Sequence, residues 1–119
     1  MAAPTSISPI KAFKGKISVA QVAFTGAETK ALVAAATGKK VHVLGLHWSG
    51  AAAATIILST ASDAILTVLN ATVLELPLLP MGKVGSQNQF VKYLETNVSE
   101  ALNATSAQNS RATVWYVQE

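Results

Sequence analysis

The stretch GKKVHVLGLHWSG, residues 38–50, carries the strongest secondary-structure signal in the chain. Apolar residues alternate along it, and the alternation changes phase at Gly45. Side chains that alternate in this way point to opposite faces of a β-strand. A glycine inside such a run is typical of a β-bulge, at which a strand bends or exchanges its faces. The stretch therefore predicts a central strand, covered on one face by a second sheet and on the other by a further layer or a neighbouring subunit.

Short runs of the same kind flank this stretch at regular spacing. They predict strands over residues 16–24, 53–59, 64–69, 72–79, 89–96, 100–105 and 111–118, with a polar loop over residues 81–88. Pro77 and Pro80 cannot donate to a ladder, so the run over residues 72–79 is an edge strand or ends at Leu76. About eight short strands with turns between them are typical of an all-β fold, and we expect a jelly-roll-like antiparallel β-sandwich. The predicted core residues are Val41, Val43, Leu44, Leu46, Trp48, Val114, Trp115 and Tyr116.

Residues 28–37 fit two interpretations. Thr25 and Glu28 match a helix capping box, the alanines favour helix, and Gly38 would end it. The same residues also suit a short strand that pairs with the central one. We favour the strand because the rest of the chain reads as β.

Composition and charge favour a structural or binding role. The chain has 119 residues, of which 50% are hydrophobic and 13% charged, so it suits one folded domain over residues 16–119 that hides apolar surface against copies of itself or a partner. Residues 1–15 read as an extended arm without a regular element, since two prolines interrupt it. The arm residues expected to contact a partner are Ile7, Ile10, Lys11, Phe13 and Lys14.

Catalytic and cofactor motifs are not formed by the residues present. The chain has no cysteine, its two histidines lie five positions apart on a predicted strand, and its six acidic residues are scattered. We therefore expect no enzyme activity, no metal and no cofactor. The net charge of +3, without a basic run containing aromatics, also argues against nucleic acid as a partner. No uninterrupted apolar stretch is long enough for a membrane span, and we expect no small-molecule ligand.

Several segments together resemble a known family. They are TGKKVHVLGL at residues 37–46, Leu76-Pro77, LET at residues 94–96, EALN at residues 100–103 and VWYV at residues 114–117. In this order they are similar to small jelly-roll virion proteins of tailed bacteriophages, which include head decoration (cement) proteins and related tail modules. The resemblance covers roughly residues 16–118 and leaves out most of the arm. It implies a homotrimer on the capsid surface, bound to the major capsid protein and without enzyme activity.

Two functions follow as expectations. The first is a capsid decoration protein that binds and stabilises the phage head as a homotrimer. The second is a tail, receptor-binding or carbohydrate-binding β-sandwich, in which exposed aromatic side chains would contact a glycan. Trp48, Tyr93, Trp115 and Tyr116 are the candidates for such a face, although their alternating, apolar surroundings favour core packing.

Overall fold

The computed structural model describes residues 10–13 and 16–119, and no helix occurs among them. All strand pairs in this part of the chain are antiparallel, which confirms the all-β sandwich expected from the sequence. The strands are β1 (Ile10–Phe13), β2 (Ser18–Phe24), β3 (Glu28–Val33), β4 (Val41–Ser59), β5 (Ala64–Leu76), β6 (Pro80–Val84), β7 (Gln87–Val91), β8 (Leu94–Glu95), β9 (Leu102–Ser106) and β10 (Ser110–Gln118).

The strands form one large sheet and one small one. The large sheet has the order β2-β10-β4-β9-β3, with β5 and β8 also paired to β4. The small sheet has the order β1-β7-β6. We call the small one the arm sheet, since its first strand comes from the N-terminal segment.

The central strand is longer than the sequence predicts. β4 does not stop at Gly50 but continues to Ser59, so its first half pairs with β10 and its second half with β9. The first half of β4 thus lies in one layer of the sandwich and the second half lies in the other. The main core lies between these two halves of β4. The buried members of this core are Phe24, Leu32, Val33, Val41, Val43, Leu46, Trp48, Ile56, Leu58, Leu102, Ala104, Ala112 and Val114.

A bulge lies next to Gly45, as the glycine predicts. Trp115 of β10 pairs with Gly45 while Tyr116 pairs with Val43, so Leu44 is the extra residue on β4. Leu44 is fully buried in a second, smaller cluster with Phe90 of β7 and Val117 of β10. The outer face of β4 is therefore covered here by the arm sheet of the same chain, and not by the neighbouring subunit that the sequence left open.

Several predicted boundaries change in the structure. Residues 28–33 are a strand, and the Thr25–Glu28 pair that resembles a capping box closes the turn between β2 and β3, with Glu28 Oε1 accepting from the Thr25 amide and hydroxyl at 2.8 Å. The runs over residues 64–69 and 72–79, predicted as separate strands, form the single strand β5, because Asn70 between them has a positive φ of 53° and makes a bulge. β5 ends at Leu76, before Pro77.

Three further predictions were wrong. The supposed polar loop over residues 81–88 is the β6–β7 hairpin, since Gly85 at φ 61° supplies the tight turn. The expected single strand over residues 89–96 breaks into β7 and β8. The arm also contains an element, because Ile10–Phe13 form β1 and pair in register with residues 88–91 of β7.

Gly45 is predicted to be intolerant of a side chain. A Cβ placed there would lie 3.2 Å from the Leu76 carbonyl oxygen and 3.3 Å from both the Leu78 amide nitrogen and Trp115 Cε3. Two of these neighbours are backbone atoms that cannot turn aside, so we expect Gly45→Ala to lower the free energy of unfolding by about 1–3 kcal/mol. Urea denaturation measures it. Gly26→Ala is the matched control, since its Cβ would meet nothing within 4 Å, and an equal loss in both variants would contradict the argument.

Candidate interaction surface

The predicted core residues occupy two faces of β4 and β10. Val41, Val43, Leu46, Trp48 and Val114 are buried in the main core, and Tyr116 packs against it while partly exposed. Leu44 lies in the second cluster on the opposite face. Trp115 also lies on that opposite face, half-buried over Gly45.

The arm sheet brings together two segments that are far apart in the sequence. β1 contains Ile10, Lys11 and Phe13, and its partner β7 belongs to the hairpin that follows β5. The two other arm residues expected to contact a partner, Ile7 and Lys14, lie outside the described residues. Just before and within β6, Leu79 is 43% and Met81 53% exposed, although both are large apolar side chains. This sheet therefore combines part of the arm with a hairpin that has two exposed apolar side chains at its start.

A second exposed surface is formed by the hairpin of the two longest strands. We call residues 48–59 of β4 and 64–74 of β5 the β4–β5 ribbon. Over residues 48–74 the sequence contains one charged side chain, Asp63, and it lies in the turn between the strands. None of the thirteen residues of β5 is buried, and Leu69 and Val73 are 73% and 52% exposed. The ribbon thus has one long, uncharged face open to solvent, while its other face, which includes Trp48, Ile56 and Leu58, packs into the main core.

A charged cluster lies at the other end of β4, around Glu95 of β8. The Glu95 carboxylate is 3.2 Å from Lys92 Nζ, 3.5 Å from Lys40 Nζ and 3.1 Å from His42 Nδ1. Lys92 and His42 are buried. Burial alone would raise the pKa of Glu95, but the hydrogen bond and charge of Lys92, with Lys40 and His42, hold the pKa below its usual value. The cluster pairs its own charges and ties β8 to β4.

A polar cluster around Glu100 fastens the far end of the ribbon to the loop between β8 and β9. Glu100 accepts a hydrogen bond of 2.6 Å from the Thr60 hydroxyl and others from the amide and hydroxyl of Ser62. The Thr60 hydrogen bond, followed by those of Ser62, lowers the pKa of the Glu100 carboxyl. Asn97 Nδ2 donates to both Ser62 and Asp63. These contacts hold the turn of the ribbon in one position.

The two histidines lie on one face of β4, not on the opposite faces that a regular strand would give. The bulge at Leu44 shifts the phase between them, so that His42 lies opposite Val117 and His47 opposite Thr113. Each has a different carboxylate nearby, and His47 Nδ1 is 3.2 Å from Glu75. Among residues 10–13 and 16–119, no three histidine or acidic side chains form a group that could hold a metal ion. The same residues contain no helix of the length and hydropathy needed to cross a membrane.

The four aromatic candidates for a glycan-binding face are dispersed. Trp48 is fully buried, stacks on Phe24 with ring centroids 5.4 Å apart, and donates from Nε1 to Ser110. The Tyr93 hydroxyl donates to the Pro77 carbonyl at 2.6 Å. Tyr116 and Trp115 point to opposite faces of β10. These side chains do not form a common platform.

Comparison with known proteins gives a weak structural likeness. No protein-family model matches the chain, and no curated protein matches it. Among solved structures, a chain from the acidic stable capsid structure of Helicobacter pylori bacteriophage KHP30 is similar at a TM-score of 0.46 and 11% sequence identity. The alignment covers 92% of this chain and 98% of that chain. This degree of similarity is a likeness and defines no family.

Proposed function

We propose that this chain is a structural virion protein of a tailed bacteriophage, a decoration protein that binds the capsid surface as a homotrimer and stabilises the head. The proposal starts from the resemblance of residues 16–118 to small jelly-roll virion proteins. It includes the major capsid protein as the partner and no catalytic activity. The observation that carries it is the arm sheet, which places residues 10–13 of the N-terminal segment in one sheet with a hairpin that has two exposed apolar side chains at its start, Leu79 and Met81.

The arm sheet suits an attachment surface for two reasons. β1 and β6 are its edge strands, and an edge presents backbone groups that a partner strand can pair with. Leu79 and Met81 are exposed apolar side chains next to that edge. Burial of one such side chain contributes about 1.5–3 kcal/mol, and three copies acting together multiply this into strong binding by avidity.

The sheet can also be altered without opening the main core. Within residues 10–13 and 16–119, β1 pairs only with β7, and neither strand pairs with the large sheet. Most of the core lies between β4 and its partners in the large sheet. Removal of the arm therefore leaves the sandwich strands paired, while the attachment surface loses a strand.

The test is binding of the purified protein to undecorated capsids of the phage that encodes it, measured by co-sedimentation. We expect deletion of residues 1–15, and separately the double substitution Leu79→Asp with Met81→Asp, to weaken binding at least tenfold while the far-ultraviolet circular dichroism keeps its strand spectrum. Val19→Asp is the control, since Val19 is an exposed apolar residue on β2 of the large sheet.

The outcomes separate the parts of the proposal. Undiminished binding by both arm-sheet variants would place the attachment surface elsewhere on the sandwich. Failure of the unaltered protein to bind capsids, together with its absence from purified particles by mass spectrometry, would overturn the virion function itself.

A further inference from the structure

We infer that the β4–β5 ribbon is the surface through which copies of this chain meet one another. The inference rests on the proposed function only for the number of copies, which is three. The observations that carry it are the charge distribution, the exposure of β5 and the contrast with the other sheet edges.

The charge distribution selects the kind of partner. Residues 48–74 contain one charge, in the turn, whereas the rest of the chain carries the other fourteen of the fifteen charged residues. Interfaces within homo-oligomers are depleted of charge in their cores and more apolar than the remaining surface. A charged partner would find no complementary group on the ribbon. A second copy offers the same uncharged surface, so it is complementary to the ribbon by composition.

The edge of β5 is the second observation. β5 pairs with β4 on one side only, and its other side forms no strand pair within residues 10–13 and 16–119. Folded proteins commonly protect such edges with lysine or another charged residue, or with proline. The β2 and β3 edges have this protection, because Lys30 Nζ on β3 donates to the Ala23 carbonyl of β2 at 2.7 Å and also pairs with Glu28. Along β5 the only charged residue is Glu75, near its end.

The dimensions of the ribbon agree with an interface. The eleven residues 64–74 of β5 span roughly 36 Å as an extended strand, which is most of the longest dimension of the molecule, 44 Å. Two strands of that length present roughly 350 Å² in projection. Ala51, Ala52 and Ala53 are small, so a neighbouring copy can approach the bend of β4 closely.

If three copies shared a symmetry axis parallel to β5, the exposed side chains of their β5 strands would lie close together. The outward positions of β5 include Thr67, Leu69 and Val73, whereas Leu66 and Leu74 pack inward on the main core. Three ribbons around one axis would therefore place Leu69 and Val73 of each copy against those of the next. In this assembly, the core residues of each sandwich would stay buried within their own chain.

The experiment uses the full chain and two kinds of variant. Sedimentation equilibrium is measured for the unaltered protein, for Leu69→Lys with Val73→Lys, and for the control Val98→Lys, whose residue is 53% exposed in the loop between β8 and β9. We expect the unaltered protein and the control to be trimers. We expect the β5 variant to be monomeric up to concentrations at least a hundredfold higher than those at which the unaltered protein dissociates. Circular dichroism verifies that all three proteins are folded.

Cross-linking gives a second reading that does not require a destabilising charge. The chain has no cysteine, so Leu69→Cys and Val98→Cys each introduce one thiol. A short bismaleimide should join copies of the Leu69→Cys protein and leave the Val98→Cys protein uncoupled. Unchanged oligomers in the lysine variant, or coupling only through Val98→Cys, would overturn the inference. A monomer that still binds capsids would also overturn it while leaving the virion function in place.

Discussion

Replacement of Trp48 by alanine is expected to lower the free energy of unfolding by about 3–5 kcal/mol, the largest effect of any single substitution considered for this chain. Trp48 is fully buried between the two halves of the sandwich and stacks on Phe24 with an angle of 7° between the rings. Its removal would leave a cavity and leave the Ser110 hydroxyl without the indole donor at 3.0 Å. Thermal unfolding should show a decrease of roughly 10–20 °C in the midpoint.

Two companion variants separate the causes of this loss. Trp48→Phe keeps an aromatic ring but removes the hydrogen bond to Ser110, so we expect about a third of the alanine effect. Val98→Ala alters an exposed residue and should change the free energy by less than about 0.5 kcal/mol. All measurements need one protein concentration, since self-association adds to apparent stability. A small loss for Trp48→Ala would mean that the two layers do not depend on this contact.

Replacement of Glu95 by alanine is expected to lower the free energy of unfolding by about 3 kcal/mol. Lys92 is only 7% exposed, and Glu95 Oε2 lies 3.2 Å from its ammonium group. Without the carboxylate, a buried positive charge would have lost its ion-pair partner, and Lys40 would lose a 3.5 Å contact. The expected loss is mostly the cost of keeping the Lys92 charge out of water and only partly the value of the pair.

The double variant Glu95→Ala with Lys92→Met tests that reason. Replacing both partners removes the uncompensated charge, so most of the stability should return. If the double variant is no more stable than Glu95→Ala, packing and not charge explains the loss.

Acid should act in the same direction as the Glu95 substitution. The pKa of Glu95 is lower in the folded chain than its usual value. The contribution of Glu95 to stability is therefore fully present when the pH is above the usual pKa, and it is lost as the pH falls through the pKa of the folded chain. Glu95→Ala should therefore flatten the acidic limb of the stability profile.

The central strand was predictable because its pattern is local. Alternation around Gly45 indicates a strand with a change of phase, and the structure has an extra residue at Leu44. What the pattern could not give was the layer covering Leu44. That layer is the arm sheet, which contributes Phe90 of β7, and Phe90 is 46 residues away from Leu44 in the sequence, so no local signal identifies it.

The predictions that were wrong also have physical causes. Residues 81–88 read as a loop because the β6–β7 hairpin is largely exposed and needs little apolar alternation, and its turn depends on Gly85. Asn70 reads as a turn residue because asparagine tolerates positive φ, and here that conformation makes a bulge inside β5. Sequence analysis could not identify the ribbon, because the apolar runs in its two strands look like those of ordinary buried strands. Only the structure shows that β5 has no buried residue.

The pairing of the last strand with the second has a consequence for how this protein is made. Trp115 of β10 lies opposite Val19 of β2, 96 residues earlier, and β10 is inserted between β2 and β4. During translation, β2 and the inner edge of the first half of β4 therefore wait without their common partner until residues 110–118 leave the ribosome. Contacts so distant in sequence slow folding into the millisecond-to-second range and expose strand edges meanwhile. Until β10 emerges, these nascent strands can pair with strands of other copies of the chain before each chain closes its own sheet.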